Sequence, residues 1–336
     1  MKKLSLLVAL MLVACVSCVG NQAQDSLRAR QLFEEYENNY ALQIEMGSVD
    51  KNRALWLTPL EQAYELGSVE AMVDLGEFYY AGLGVEKDYA RAIQLWREAV
   101  DKGSWQAMCN MGMVYLRGNG VESDLEEGLH WYERAIATGN SGAMVALGNI
   151  YLYGDYYGEL ETDPEKGRYW LEKAIEQGDI DAMFSLAVCY REGVGVAKDM
   201  DRAVQLLERA SQLGDARSMY NLAFLYIDSD EPGQLDKGIE LLEKAARLGN
   251  GDAMSALAMV YGEYGQTPDP VTAFYWTEKS AENGNSQNMF GLAMLYLNGA
   301  GTPQDLDKAR YWLQQAIAFG HPDAAELYES LEERRP

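Results

Sequence analysis

The sequence predicts an all-α protein, a solenoid in which antiparallel helix hairpins stack one on the next. Three observations predict this fold. The chain repeats seven times with units of 35 to 39 residues, each unit opens on Ser, Asn or Asp and ends in a glycine, and each unit carries the same two apolar stripes. One hairpin cannot bury its apolar face alone, so neighbouring units must cover one another. The predicted units are residues 68–103, 104–139, 140–178, 179–214, 215–249, 250–284 and 285–320.

The first residues have the order of an export signal. Two lysines precede an apolar run over residues 4–13, which is too short to span a bilayer as a stable anchor. The following "LVAC" resembles the lipobox of bacterial lipoproteins, in which the cysteine becomes the lipidated first residue of the mature chain. We therefore expect a signal peptide over 1–14, lipidation at Cys15 and a linker over 15–24, with the protein held in the cell envelope on the periplasmic face or the outer surface. Ordinary secretory cleavage nearby is the alternative.

The charge balance limits the kinds of partner. Fifty-two acidic residues against 28 basic ones give a formal net charge of −24. Such a surface repels nucleic acid and anionic lipid headgroups, so we expect basic or apolar protein partners and no nucleic acid. Solubility alone is an equally good reason for the charge. Beyond the leader only Cys109 and Cys189 remain, and they do not form the spaced framework of a disulfide-stabilised domain.

Both ends of the repeat array are predicted to be capped by helices. Residues 25–67 begin with a charged amphipathic segment and end in a partial repeat. Within it, Thr58 followed by Pro59 and Glu61 matches a capping box, which predicts that a helix begins there. Residues 321–336 continue the repeat spacing for a short distance and then turn polar, as a terminal repeat needs for solubility.

Each unit boundary has the residues that end one helix and begin the next. Glycine takes the left-handed position after a helix at little steric cost, and a short polar side chain accepts hydrogen bonds from the free N–H groups of the following helix. The glycines are Gly67, Gly103, Gly139, Gly178, Gly214, Gly249, Gly284 and Gly320. The boundaries are thereby predicted to within a residue or two.

The first helix of each unit carries one apolar stripe. Its fifth residue is Met, its eighth is Leu or Met, its ninth is Gly or Ala and its twelfth is Tyr. This spacing places all four on one helical face, where the small ninth residue lets a neighbouring helix approach closely. In the first unit they are Met72, Leu75, Gly76 and Tyr79.

The second helix carries another stripe, which begins as Ala92, Leu95 and Ala99. Its middle position holds four of the seven tryptophans, namely Trp131, Trp170, Trp276 and Trp312. Repetition at one equivalent position predicts that these rings belong to the core and do not stack on ligands.

A Gly-x-Gly turn joins the two helices in four of the units. The turns are "GLGVEKD", "GNGVESD", "GVGVAKD" and "GAGTPQD", which begin at Gly82, Gly118, Gly193 and Gly299. A single Gly-x-Gly after an apolar segment could hold a phosphate, but it serves a tight turn equally well. One protein rarely needs four phosphate sites, whereas every hairpin needs a turn, so we interpret the motif as the turn.

The stretch "AMVDLGEFYYAGLGVEKDYARAIQLWREA" resembles the Sel-1-like repeat, a relative of the tetratricopeptide repeat. The resemblance covers about residues 68–320. It implies a right-handed α-solenoid superhelix that acts as an adaptor for other proteins and is not usually catalytic. Three units depart from the pattern in their turns, the third with "YGDYYGELETDP", the fifth with "DSDEPGQ" and the sixth with "GEYGQTPDP".

Little in the sequence points to catalysis. The only histidines, His130 and His321, lie in different units, which argues against a histidine-based metal site or triad. Ser48 and Lys51 match the Ser-x-x-Lys of penicillin-recognising enzymes, but the partner motifs of that family are missing. We therefore predict no catalytic residues, no metal, no cofactor and no small-molecule substrate.

Two candidate binding surfaces emerge instead. Opposite the first-helix stripe, the sixth and tenth positions of the fourth to seventh units are mostly apolar, although a face that met only water would be polar. These side chains either line a partner-binding groove or pack against adjacent first helices. They are Phe184, Val188, Tyr220, Phe224, Met259, Phe290 and Met294. The second candidate is the tyrosine-rich turn of the third unit, with Tyr153, Tyr156 and Tyr157, for which simple solvent exposure is the alternative.

These observations predict a non-catalytic interaction scaffold, tethered to a bacterial membrane, that holds a protein or peptide on the concave face of the solenoid. The alternative is an exported cell-wall enzyme or accessory protein that interacts with peptidoglycan or penicillin.

Overall fold

The structure is a computed structural model that describes residues 25–40, 53–154, 162–229, 231–262 and 267–333. All regular secondary structure in these ranges is helical, with no strand. The predicted all-α solenoid class is therefore confirmed. No helix in the described ranges is both long enough and apolar enough to cross a membrane.

Seventeen helices follow one another along the described chain. Helix α1 covers described residues 25–40. The others are α2 (Arg53–Glu65), α3 (Val69–Ala81), α4 (Tyr89–Asp101), α5 (Trp105–Arg117), α6 (Leu125–Ala137), α7 (Ser141–Tyr153), α8 (Pro164–Glu176), α9 (Ile180–Glu192), α10 (Met200–Gln212), α11 (Ala216–Ile227), α12 (Gln234–Arg247), α13 (Gly251–Val260), α14 (Pro270–Glu282), α15 (Ser286–Asn298), α16 (Leu306–Ala318) and α17 (Ala324–Glu333).

The helices form two compact units. The first contains α1 to α6 and the start of α7, and the second contains the rest of α7 through α17. Within each unit, a helix packs mainly on the helices before and after it in sequence. This nearest-neighbour packing is what distinguishes a repeat array from a globular core.

The predicted boundary residues end and begin helices as expected. All eight boundary glycines have positive φ, from 79° at Gly320 to 94° at Gly214. The next side chain then caps the following helix: Ser68 Oγ accepts from the Ala71 N–H at 3.1 Å, and Asp179 Oδ1 accepts from the Ala182 N–H at 2.9 Å. Each first helix is thereby fixed at its start by local chemistry.

The Gly-x-Gly motif forms the hairpin turn and has no room for a phosphate at its second glycine. A Cβ on Gly120 would lie 2.7 Å from Tyr89 Cβ, and one on Gly195 would lie 2.3 Å from Pro164 Cβ. The second glycine therefore abuts the start of the preceding repeat's second helix. Glycine is needed at this position for two reasons. The backbone has a positive φ, and the neighbouring repeat approaches too closely for a side chain.

The eighth position of the first-helix stripe lies in the core as predicted, whereas the tyrosine at the twelfth position is buried only in the fourth and seventh repeats, as Tyr190 and Tyr296. The eighth position is at most 3% exposed in all seven repeats: Leu75, Met111, Leu147, Leu186, Leu222, Leu257 and Leu292. The small ninth position admits the second helix, since a Cβ on Gly76 would lie 2.3 Å from the Trp96 indole nitrogen.

The second-helix stripe is wider than predicted. Trp131 and Trp276 are buried, at 9% exposure each, but Trp170 and Trp312 are only half-buried. The most buried position is the next residue along, which holds Trp96, Leu171, Leu207, Leu242 and Leu313 at 0 to 2% exposure. Second helices such as α10 and α12 contact both their own first helix and that of the next repeat, so two adjacent positions face apolar neighbours.

The predicted start of α2 at Thr58 is wrong. The helix begins at Arg53, and Pro59 lies inside it. A proline in a helix cannot donate to the carbonyl four residues earlier, here that of Leu55. The Asn39 side-chain amide of α1 donates to that carbonyl at 3.0 Å and satisfies it. This tertiary hydrogen bond thus offsets part of the free-energy cost of placing a proline inside the helix.

The sixth unit contains a polar exception within the core. Ser280, fully buried, stands where the equivalent position in the other six units is alanine. Its hydroxyl lies 2.8 Å from that of Ser255, and the Asn288 amide donates to both, at 2.8 and 2.7 Å. The network joins α13, α14 and α15 and satisfies the buried hydroxyls.

Candidate functional site

The predicted groove residues lie on the first helices of the second compact unit, and most are partly buried. Phe184 packs on the cluster of Ala187, Leu207 and Leu222. Tyr220 and Phe224 are 5.0 Å apart in a T-shaped contact and pack on the core cluster around α12 and α13. These contacts favour the packing alternative for the three aromatic rings.

The remaining groove residues differ in exposure. Phe290 stacks on the His321 ring with centroids 4.3 Å apart, while Val188 and Met294 are half-buried. Met259, on α13, is 68% exposed. This methionine is the predicted groove residue with the most surface available to a partner.

Charged side chains bridge the same first helices beside the aromatic residues. Arg217 of α11 hydrogen-bonds Asp181 of α9, pairs with Asp215 at 3.1 Å, and lies 5.0 Å above the Phe184 ring. The Arg191 guanidinium donates to Asn221 Oδ1 at 2.6 Å. The face is therefore mixed, with half-buried apolar side chains between hydrogen-bonded polar ones.

The tyrosine loop is described only in part. Tyr153 is 52% exposed, and its hydroxyl lies 3.6 Å from the Cys189 sulfur. Tyr156 and Tyr157 lie outside the described residues, as do the lipidation candidate Cys15 and the Ser48 and Lys51 pair. These sites stay predictions.

The cysteines and histidines do not assemble a reactive centre in the described chain. Burial raises the pKa of the Cys109 thiol to about 12 and also raises that of Cys189, which disfavours the reactive thiolate. His130 lies in the first compact unit and His321 in the second. No group of three or more His, Cys, Asp or Glu side chains placed to hold a metal occurs among the described residues.

A further surface, not predicted from the sequence, lies in the first compact unit between α1, α3 and α5. Three adjoining cavities of about 860, 470 and 440 Å³ follow these helices. The first two share Phe33, Glu37 and Glu70, and the last two share Asp74 and Glu77. We call these three adjoining cavities together the acidic groove.

Aromatic rings form one end of the acidic groove. Tyr40 of α1 lies 5.1 Å from both Trp56 and Phe78, and Tyr36 stacks on Tyr40 at 5.8 Å. From the other side, Trp96 and Tyr80 lie 5.5 Å apart, and Tyr36, Tyr40, Phe78, Tyr80 and Trp96 all line the 440 Å³ cavity. The cavity is thus a half-open aromatic recess.

The carboxylates at this recess have neutral hydrogen-bond partners. Tyr36 donates to Asp74, and the Asn110 amide donates to Glu77 at 3.2 Å. Neither carboxylate forms an ion pair within the described residues. Burial, with the charges of Glu77, Glu37 and Glu70, raises the pKa of Asp74 to about 6 although the Tyr36 hydrogen bond opposes the shift.

One sequence signal could have revealed the acidic groove. The seventh and tenth positions of the first helix are both acidic only in the first repeat, as Asp74 and Glu77. The contribution of α1 was not visible in the repeat pattern, because α1 lies outside the repeats and meets α3 only in the fold.

Because the pKa of Asp74 is raised in the folded protein, the free energy of unfolding should fall as Asp74 ionises. Because the native state holds the Asp74 proton more tightly than the unfolded chain, ionisation of Asp74 destabilises the fold as pH rises from about 4 through about 6. We expect Asp74→Asn to raise the free energy of unfolding by about 1–2 kcal/mol at pH 7.5 and by nearly nothing at pH 4. Urea unfolding at both pH values measures this. Glu61→Gln, at an exposed carboxylate of α2, is the control, and an equal gain at both pH values would contradict the explanation.

The chain matches the Sel1 repeat at residues 69–104, 105–140, 141–179, 180–215, 216–250, 251–285 and 289–321. No curated protein matches it significantly. Among solved structures, a Sel1 repeat protein from Oxalobacter formigenes is similar, with 27% identity over 90% of this chain and 89% of that one and a TM-score of 0.57. The protein c5321, described as a protective antigen of uropathogenic Escherichia coli with an SLR fold, has 29% identity over 91% and 67%, with a TM-score of 0.51. Yeast Tom70 shares the fold at 16% identity over 87% and 58%, with a TM-score of 0.51.

Proposed function

The chain belongs to the Sel1 repeat family, and from that premise we propose that it is an exported, lipid-anchored scaffold that binds a protein partner on its first-helix surface. A repeat scaffold of this type fits protein–protein interaction, because stacked hairpins present an extended surface from many units at once. Sel1 repeat proteins are typically non-catalytic.

The observation that carries the proposal is the exposed apolar area on the mixed face of the first helices in the second compact unit. Met259 is 68% exposed, and Tyr220 and Phe224 keep part of their rings at the surface. Exposed apolar area bordered by polar groups such as Arg217 and Asn221 is typical of protein-binding sites.

Export and lipid anchoring are supported by the leader. A basic start, an apolar run of signal-peptide length and a cysteine in a lipobox-like motif occur in that order at residues 1–15. The net charge of −24 disfavours binding to nucleic acid, because its phosphates are also negatively charged.

We expect Met259→Asp to reduce partner capture about tenfold while changing the melting temperature little, because the side chain is exposed and contributes mainly to a partner interface. The measurement is affinity capture from solubilised envelope with the full chain as bait, quantified by mass spectrometry. Phe224→Asp is a poorer test, since that ring also packs on the core.

The matched control is Val271→Asp on α14, where an apolar side chain that is 66% exposed receives the same new charge. Capture by this variant should equal that of the unmodified chain. If Met259→Asp captures the same proteins in the same amounts, the first-helix face is not the binding surface.

A further inference from the structure

We infer that the acidic groove between α1, α3 and α5 binds an extended basic segment of a protein partner, with one lysine or arginine side chain seated in the aromatic recess beside Asp74 and Glu77. The inference rests on the proposed scaffold function and names the chemistry of a partner.

The size of the groove fits such a segment. Its three cavities adjoin along α1 and α3, and each has a volume in the range of ligand-binding pockets, with about 440 Å³ in the aromatic recess. A lysine or arginine side chain suits the recess because its long apolar stem can lie along the rings while its charged end reaches the carboxylates.

The charges of the groove favour a cation. Six carboxylates line it, namely Asp25, Glu34, Glu37, Glu70, Asp74 and Glu77, against two basic side chains. Arg30 already pairs with Glu34 at 3.3 Å, and Lys102 donates to the Gly67 carbonyl at 3.1 Å. The carboxylates at the recess are left with neutral partners, so a basic side chain would supply the counter-charge that the fold does not.

The aromatic rings make the recess selective for a cation over an apolar group. Cations are attracted to the faces of Trp, Tyr and Phe rings. Of the five rings that line this cavity, Tyr40 and Tyr80 are partly exposed and can offer such a face. An uncharged apolar side chain would cover Asp74 and Glu77 without pairing them, which costs free energy. A phosphate or a nucleic acid would meet like charge.

Binding should depend on pH. The groups that face Asp74 are Tyr36, Tyr40 and Glu37 from α1, Glu70 and Glu77 from α3, and the neutral Asn110 from α5, with Lys102 at the end of the adjoining cavity. Because the pKa of Asp74 is about 6, the carboxylate is largely ionised at pH 7.5 and largely protonated at pH 5. Affinity for a cation should therefore fall on acidification.

The test is a fluorescence-anisotropy titration of the full chain at physiological ionic strength with two peptides. One alternates arginine and serine, and its twin carries citrulline, the uncharged isostere, in place of arginine. We expect the arginine peptide to bind at least tenfold more tightly than the citrulline peptide. The double variant Asp74→Asn with Glu77→Gln should bind the arginine peptide about tenfold more weakly than the unmodified chain does. The affinity of the unmodified chain should fall several-fold from pH 7.5 to pH 5.

The matched control is Glu122→Gln with Glu126→Gln, which removes the same charge from exposed positions that do not line the groove. It should change the affinity less than about twofold, because the screened field of distant surface charges contributes little. Thermal melts of both double variants establish that they are folded.

Equal losses in the two double variants would attribute binding to overall charge and overturn the inference. So would equal affinity for the citrulline peptide, or no binding of either peptide. The scaffold proposal would survive these results if capture remained sensitive to Met259→Asp.

Discussion

Gly301→Ala is expected to lower the free energy of unfolding by about 3–5 kcal/mol and to release the C-terminal hairpin from the array. Gly301 has a φ of 71°, and a Cβ there would lie 1.9 Å from the carbonyl oxygen of Pro270. The variant must therefore adopt a left-handed backbone with a side chain and also move the turn away from the start of α14.

The matched control is Gly249→Ala. Gly249 has a φ of 88°, but a Cβ there would meet no atom within 4 Å. Gly249→Ala should therefore lower the free energy of unfolding only by the cost of a left-handed backbone with a side chain, about 1–2 kcal/mol. The difference between the two variants isolates the contact between repeats from the cost of positive φ.

Hydrogen exchange locates the effect, because a repeat array can lose one end while the rest stays folded. We expect amides of α15 to α17 to lose protection in Gly301→Ala, while α9 to α12 keep theirs. Equal stability of the two glycine variants would contradict the close approach between the turn and α14.

Cys15→Ser is expected to abolish lipid attachment completely and to move the protein from the membrane fraction to the soluble fraction. Acylation requires the thiol, and stable anchoring requires more than one acyl chain, so losing that site should remove the anchor outright. Metabolic labelling with an alkyne-tagged palmitate, followed by fractionation, measures both effects.

Cys18 provides the control, because it lies in the same short segment but outside the lipobox-like motif. Cys18→Ser should keep both the label and the membrane association. Labelling that persists in Cys15→Ser, or that is lost in Cys18→Ser instead, would contradict the assignment of the anchor.

The two surfaces described above differ in their chemistry. The face carrying Met259 in the second compact unit places exposed and half-buried apolar side chains beside hydrogen-bonded polar ones, whereas the acidic groove of the first unit combines Asp74 and Glu77 with aromatic rings. An acidic groove is consistent with the charge of the whole chain, which disfavours anionic partners. The experiments separate the two surfaces, since each variant alters only one of them.

The repeat fold and its local chemistry follow from the amino-acid pattern alone. The boundary glycines, the caps such as Ser68 and Asp179, and the buried eighth position of each first helix lie where the pattern predicted. These features are repeated in every unit and depend on residues close together in the chain. Periodicity and capping therefore identify them without knowledge of tertiary contacts.

Features that depend on which helices meet could be identified only from the packed structure. Pro59 lies inside α2 because Asn39 of another helix satisfies the Leu55 carbonyl. In second helices such as α10 and α12, the most buried position is one residue beyond the predicted one, because first helices on both sides cover it. The acidic groove exists because α1, which has no counterpart in the repeats, brings Tyr36 and Tyr40 against Asp74. A repeat pattern specifies each hairpin and its neighbour, but a site formed by a unique helix depends on packing between residues distant in sequence.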